Sequence, residues 1–354
     1  MGGVLEKITV LDKVKLPEYI EDMKTLDDLL SMPSQGLVDD FSRLDGDIMI
    51  LGVGGKVGPT LARMAKRAAP GKRVIGVARF SEQGVKEALE SAGVETIRCD
   101  LLNRESVAKL PDVKNIIFMA GKKFGTAGQE PFTWAMNVVA PAIIGERFCN
   151  IRFVAFSTLC VYPFVSVAGR GSAPETHPPT PLGEYANSCV GRERVFQYFS
   201  SINKNPGILV RLNYAIDLHY GALQDIALKV LNGEAIDIRT GIANVIWQGD
   251  STNHILRCLL HGTVPARAIN IGAEKPAAVR YVANEFAKIF GKEAVFSGVE
   301  QPMAWHNDTS EAMRLFGKPR VDLDTMIRWN ARWLQKGGTV YHKPTHYEQR
   351  EGVF

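Results

Sequence analysis

The glycine-rich turn Gly52-Val53-Gly54-Gly55-Lys56-Val57-Gly58 is the segment of this sequence best equipped for chemistry. Glycines at this spacing allow a tight turn and close backbone approach to a ligand. A helix opening directly behind them presents free amides and a positive dipole end to phosphate. The pattern has this meaning only between a strand and a helix. Here the apolar run DIMIL (47–51) precedes it, and PTLARMAKRAA follows, with Pro59 in the first helical turn, where proline is tolerated. The expected ligand is the pyrophosphate of a nicotinamide dinucleotide, held along Gly52, Gly54, Gly55, Lys56, Val57 and Gly58. The next apolar run, VIGVARF, bears on the form of that cofactor. A carboxylate at its end would bind a ribose 2′-hydroxyl, but the sequence has Ala78 and Arg79, and a guanidinium suits a 2′-phosphate. NADP is the expected cofactor, with NAD as the alternative.

Such a turn needs a sheet to hold it. Short apolar runs recur at 47–51, 73–78, 94–98, 115–119, 152–156 and 208–212, alternating with segments whose apolar residues fall at i, i+3, i+4 and i+7. Near-continuous apolar strands are buried on both faces, as in a parallel sheet covered by helices. The expected fold is therefore α/β, a doubly wound parallel (Rossmann) sheet with a smaller carboxy-terminal α/β lobe. Residues 1–45 read as a helical extension, 46–212 as the dinucleotide-binding domain, and 213–354 as a substrate-binding lobe interleaved with it.

The bulk numbers fit a two-lobed globular chain. Its 354 residues are 45% hydrophobic and 23% charged, with a formal charge of +4 and no block of like charge, which argues against a nucleic-acid partner. Five scattered cysteines without a C-x-x-C pair fit a reducing cytoplasm better than a disulfide framework. MGGVLEKITV lacks a signal-peptide profile, and no apolar run reaches the ~20 residues a spanning helix needs. The seven histidines show no H-x-x-x-H spacing on one expected helix, so no metal site is expected.

Taken with later segments, these residues resemble the extended short-chain dehydrogenase/reductase family, the sugar epimerases and dehydratases, over about residues 47 to 335. Gly52, Gly55 and Gly58 match its G-x-x-G-x-x-G. RCDLLN is similar to its adenine-side segment, which implies Asp100 and Leu101 beside the adenine. FMAGKKFG is similar to the strand beneath the cofactor, implying Ala120 and Gly121 against it and Lys123 near the nicotinamide. Asn137 matches a structural asparagine of the following helix, which the resemblance implies among the cofactor-binding residues. FVAFSTLCVY puts Thr158 in the catalytic hydroxyl position, and EYANSCVGRERVF resembles the Y-x-x-x-K helix, with Tyr185 as catalytic tyrosine.

The lysine of that motif is replaced by Cys189. In the family it holds the nicotinamide ribose and favours tyrosinate; a neutral thiol does neither. A tyrosine of ordinary pKa, about 10, is a poor base at neutral pH without a nearby cation. Three readings stand: Lys123 or Arg192 substitutes; Tyr185 acts only as acid or hydrogen-bond donor; or the chain is a catalytically silent dinucleotide-binding regulatory or scaffold protein.

Leu159 and Cys160 follow Thr158 where dehydratases of the family carry an Asp-Glu pair. The resemblance thus implies oxidation or epimerisation at a hydroxyl of a sugar, sugar acid or polyol. The arginine that nucleotide-sugar members often use for the diphosphate is missing at Ala243 and Asn244, although Arg239 lies close in sequence. Arg211, Asn213, Tyr214, Trp247 and Gln248 are the expected substrate lining. Helices expected at 132–148 and 185–201 imply a homodimer through Phe132, Trp134, Val195, Phe196, Tyr198 and Phe199, residues that could equally pack within one chain.

Overall fold

The computed structural model describes residues 8–168 and 171–352. Residues 1–7, which hold most of the stretch read for a leader, and 353–354 lie outside it. Seven strands form the central sheet: β1 (Ile48–Leu51), β2 (Val74–Ala78), β3 (Glu95–Arg98), β4 (Asn115–Phe118), β5 (Arg152–Thr158), β6 (Gly207–Leu212) and β7 (Arg267–Ile271). All pair in parallel, in the order β7-β6-β5-β4-β1-β2-β3. Every residue of β1, β2 and β4 is buried, as strands covered on both faces must be. The order reverses between β1 and β4, and the carboxyl ends of the strands there border a crevice.

One face of the sheet packs on helices Gly58–Ala68 and Gln248–Arg257, sealed by Leu61, Ala65, Ile255 and Leu256. The other is covered by Arg104–Ala108, a helix over 130–147, and the long helix Gly183–Asn203, with Phe196 against Phe118 and Phe153 at 5.2 and 5.1 Å. The 130–147 helix contains one wide π-helical turn, Ala135–Val139.

The amino-terminal segment is part of the core. Helix Met23–Leu30 is capped by Asp22 and helix Gln35–Arg43 by Ser34, each side chain accepting from an amide three residues on. Leu26, Leu29 and Leu30 then enter the same cluster as Trp247 and Trp329, while Leu37 and Phe41 pack with Leu61 and Leu256. Helices Ala222–Asn232, Val279–Phe290 and Leu323–Gln335 build the second lobe. The lobes interleave: β7 comes from beyond residue 213, so a cut at 212 would divide the sheet. Among the described residues no helix is long and apolar enough to cross a membrane.

Candidate active site

The glycine turn closes β1 onto helix Gly58–Ala68. Gly52 has φ +93°, and a Cβ there would lie 2.5 Å from the Ala120 nitrogen, so β1 and the end of β4 approach only with glycine at this point. A Cβ at Gly58 would meet the Val53 carbonyl at 2.0 Å. Gly58 thus serves strand-to-helix packing, and its expected ligand contact is corrected to that role. A Cβ at Gly55 would meet only the Gly52 carbonyl, at an ordinary contact distance of 3.7 Å, and the amides of Lys56 and Val57 have no hydrogen-bond partner among the described residues. These features fit a pyrophosphate.

From this turn a cleft runs both ways across the carboxyl ends of the strands. On one side it is lined by Gly54, Gly55, Arg79, Asp100, Leu101 and Ala120, all anticipated from sequence, and by Glu82 and Met136, which were not. Met119 and Gly121 join it to the second half, where Lys56, Lys123, Tyr185, Asn213 and Tyr214 meet Arg192, Tyr220 and Thr345. Tyr220 and Thr345 carry no sequence signal, because they arrive from the loop before helix Ala222–Asn232 and from the carboxy-terminal segment.

Tyr185 stands in the first turns of helix Gly183–Asn203. Its hydroxyl hydrogen-bonds with Thr158 and with the Cys189 thiol. Thr158 ends β5 and also accepts from the Cys160 amide at 3.2 Å. Burial pushes the Tyr185 phenol well above its ordinary pKa, while Arg192 and the Thr158 hydrogen bond oppose that rise. Cys189 is fully buried and burial pushes its thiol up to about 11, which leaves it protonated and unsuited to nucleophilic work.

Arg192 is fixed from three sides. Its Nη1 donates to the Phe156 carbonyl at 2.9 Å, its Nε to the Asn137 carbonyl at 3.4 Å, and its Nη2 to Asn137 Oδ1. The guanidinium lies against Gly121, where a Cβ would come within 2.4 Å of Nη2. Asn137, carried on the π-helical turn, also accepts from the Lys122 amide (2.9 Å) and donates to the Lys122 carbonyl (3.0 Å) and to Ser188 Oγ (2.9 Å). Both amide protons and the carbonyl are thereby engaged. Asn137 is a positioning residue, which corrects its reading as a cofactor contact. Lys123 lies with its ammonium 4.9 Å from the Phe124 ring and 5.8 Å from that of Tyr214, and burial lowers its pKa.

Three expected substrate residues do not reach the cleft. Arg211 is buried and forms a bidentate pair with Glu193 (2.9 and 2.8 Å), while Nη1 donates to Tyr162 at 2.7 Å. Ser157 Oγ donates to the same Glu193 at 2.6 Å. Trp247 packs edge-on against Trp329 in the core, and Gln248 is buried with its amide donating to Thr60 at 3.0 Å. Asn213 reaches the cleft wall, but its amide donates to the Ile271 carbonyl and Asn307. Among the described residues no group of three or more metal-ligating side chains occurs.

A doubly wound sheet, a glycine turn aimed into its crevice, and a tyrosine at the far end of that crevice with a buried threonine against it define a dinucleotide-dependent α/β protein. A profile of the NAD dependent epimerase/dehydratase family matches residues 48–225, and the chain belongs to that family. The fold is similar to that of a UDP-glucose 4-epimerase from Thermotoga maritima solved with UDP-glucose (17% identity, 82% of this chain and 99% of that chain, TM-score 0.67). It is also similar to a dTDP-glucose 4,6-dehydratase from Bacillus anthracis in complex with NAD (18% identity, 82% and 96%, TM-score 0.66). A UDP-glucuronic acid 4-epimerase from Bacillus cereus in complex with NAD is a third such structure (18% identity, 82% and 99%, TM-score 0.66). At these identities the likeness establishes the fold alone. Curated proteins give no significant match to the sequence.

Proposed function

We propose that the protein is an NAD(P)-dependent oxidoreductase or epimerase acting on a hydroxyl of a sugar, sugar acid or polyol. The observation that carries this reading is Tyr185 on the cleft wall, with the buried Thr158 hydrogen-bonded to it and the fixed Arg192 guanidinium as the cation nearby. Tyr185 Oη takes the proton of the substrate hydroxyl, and Thr158 Oγ1 hydrogen-bonds the oxygen on which charge develops. Arg192 favours the tyrosinate in place of the lysine that Cys189 displaces, and Asn137 holds Arg192 at that task. The dinucleotide lies along Gly54, Gly55, Ala120 and Gly121, and when bound it supplies the hydride acceptor and donor. Leu159 and Cys160, both buried, leave no carboxylate beside Thr158 for dehydration.

NADP is the preferred form in this proposal. Arg79 is exposed on the adenosine side of the cleft and forms no ion pair among the described residues, although Glu82 shares that rim. Equal affinities for NADP and NAD would remove the preference. The protein is also proposed to be a cytoplasmic homodimer. Phe132, Trp134 and Tyr198 are exposed on the two helices named for that contact, whereas Phe196 is internal. A monomer in sedimentation at micromolar concentration would remove the dimer.

The direct test is reduction of NADP or NAD, followed by absorbance, against aldoses, aldonates and polyols. Tyr185→Phe should lower turnover by about 10²–10⁴-fold while keeping dinucleotide affinity. Parental turnover in that variant would exclude Tyr185 as the proton acceptor.

A further inference from the structure

The carboxy-terminal segment leaves the last helix, Leu323–Gln335, at Gly337, which has φ +70°. It returns to the core at Tyr347, whose ring is fully buried in the same cluster as Trp329 and Phe286. Between these points residues 340–346 run along the mouth of the cleft. Burial raises the Tyr341 phenol, and the charges of Asp217 and of Glu82, on the adenosine rim, add to that rise. Burial lowers the Lys56 amine on the glycine turn, and the charge of Lys343 adds to that fall. Tyr341 and Lys343 are thus within electrostatic reach of the adenosine rim and of the turn. Thr345 lines the substrate half, and the His346 ring lies 6.3 Å from that of Phe124.

This stretch is held by few contacts. Among the described residues its backbone donates only from Tyr341, to the His219 carbonyl at 3.0 Å, and from Thr345, to Asp225 Oδ2 at 2.8 Å. The Tyr341 ring stacks on His219 at 5.0 Å and 12°, and Thr345 Oγ1 donates to the same Asp225 oxygen at 2.6 Å. Three features oppose this closed position. A cavity of about 250 Å³ lies between Val340, His342 and Pro344 and helix Ala222–Asn232. Gln224, on that helix and lining that cavity, is buried, yet neither its amide nitrogen nor its carbonyl oxygen has a hydrogen-bond partner among the described residues. His342 and His346 take left-handed backbone, φ +48° and +55°, which residues other than glycine seldom adopt. A buried unpaired amide forgoes its hydration with nothing in return, and exposure to water recovers it. The closed position therefore carries costs that opening relieves.

We propose that residues 340–346 are a lid, hinged at Gly337 and Tyr347, that swings out to admit the dinucleotide and closes over it once it is bound. This rests on the dinucleotide-binding part of the proposed function. Opening breaks the Tyr341–His219 stack and the Thr345–Asp225 latch and gives the Gln224 amide to water. Closing restores both contacts, and the bound dinucleotide shifts the balance by the interactions that only the closed lid offers it. Thr345 then completes the wall against which a substrate is held, so that the substrate half is finished only after the cofactor is in place.

The test is amide hydrogen exchange of the full chain, free and saturated with NADPH or, if it binds more tightly, NADH. In the free protein the Tyr341 and Thr345 amides should exchange far faster than those at the middle of helix Gly183–Asn203, and the bound dinucleotide should slow them about tenfold or more. Gln224→Leu replaces the unpaired amide by an apolar side chain of similar size and should favour the closed lid. In that variant the same two amides should be slowed several-fold without ligand. Association of the dinucleotide, followed by stopped-flow fluorescence, should be slower than in the parent by a similar factor. Thr345→Val removes the latch hydroxyl and should act in the opposite direction, with faster exchange and faster release. Dinucleotide that binds the parent without slowing exchange at Tyr341 and Thr345 overturns the lid, whether or not the variants fold. Equal association rates in the parent and in folded Gln224→Leu also overturn it. No binding of NADPH or NADH in a fluorescence titration overturns the dinucleotide reading itself, and the lid with it.

Discussion

Tyr185 is asked to act as a base although burial holds its phenol well above 10. Below that value the tyrosinate fraction grows about tenfold per pH unit. In the oxidation direction kcat/KM should therefore rise with pH through the neutral range and show no plateau before the alkaline limit of stability. Arg192→Met should move this limb to higher pH by removing a cation that opposes the rise, and Arg192→Lys should restore part of it. A pH profile identical in the parent and Arg192→Met would show that Arg192 does not act on Tyr185. Tyr185 and the glycines of the turn could be assigned to one cleft from the sequence because each sits in a fixed local spacing. Arg211 was not. β6 is buried on both faces, so no alternation of polar and apolar residues marks which side chain turns to the cleft and which to Glu193. Trp247 misled for a related reason, since an aromatic side chain serves a sugar or a core equally well until its neighbour Trp329 is known.

The elements themselves were readable wherever burial and periodicity agree, as in the apolar runs that became β1, β2, β4, β5 and β6, whereas β3 lies at the sheet edge and is partly exposed. What holds the elements to one another was less so. The Arg211–Glu193 pair ties β6 to helix Gly183–Asn203 and, through Ser157, to β5. Arg211→Met leaves Glu193 buried without its cation and should cost about 3–5 kcal/mol in urea unfolding. Asp250 ties helix Gln248–Arg257 to the segment before the final helix, its Oδ2 accepting from the Val321 amide at 2.9 Å. Burial raises its pKa to about 6, above the unfolded carboxylate. Its contribution to stability is thus fully present below about pH 4 and lost as pH rises through 6. Asp250→Asn, which keeps the carbonyl acceptor, should gain on the parent at pH 8 relative to pH 4.5. Equal differences in urea midpoint at the two pH values would contradict this.

Across the whole molecule, the continuous alternation of strand and helix made the α/β class legible, but not how sequence-distant pieces complete one another. β7 flanks β6, helix Gln248–Arg257 covers one face of the sheet, and the amino-terminal helices join both hydrophobic clusters. A fragment of residues 46–212 should therefore be insoluble or molten when expressed alone, as judged by near-ultraviolet circular dichroism. A native-like spectrum would mean that the dinucleotide-binding half folds independently.

The carboxy-terminal segment has a consequence of another kind. Thr345 lines the cleft, and Gly183, at the start of the Tyr185 helix, lies so close to Gly352 that a Cβ there would come 2.0 Å from the Gly352 carbonyl. During synthesis on the ribosome the glycine turn emerges early, but the pocket wall is finished only after some 300 further residues have been added, from Gly52 to Gly352. A product terminated after β7 but before Thr345 would thus hold the complete sheet and its glycine turn without the finished pocket wall, and would sequester cofactor without turning it over.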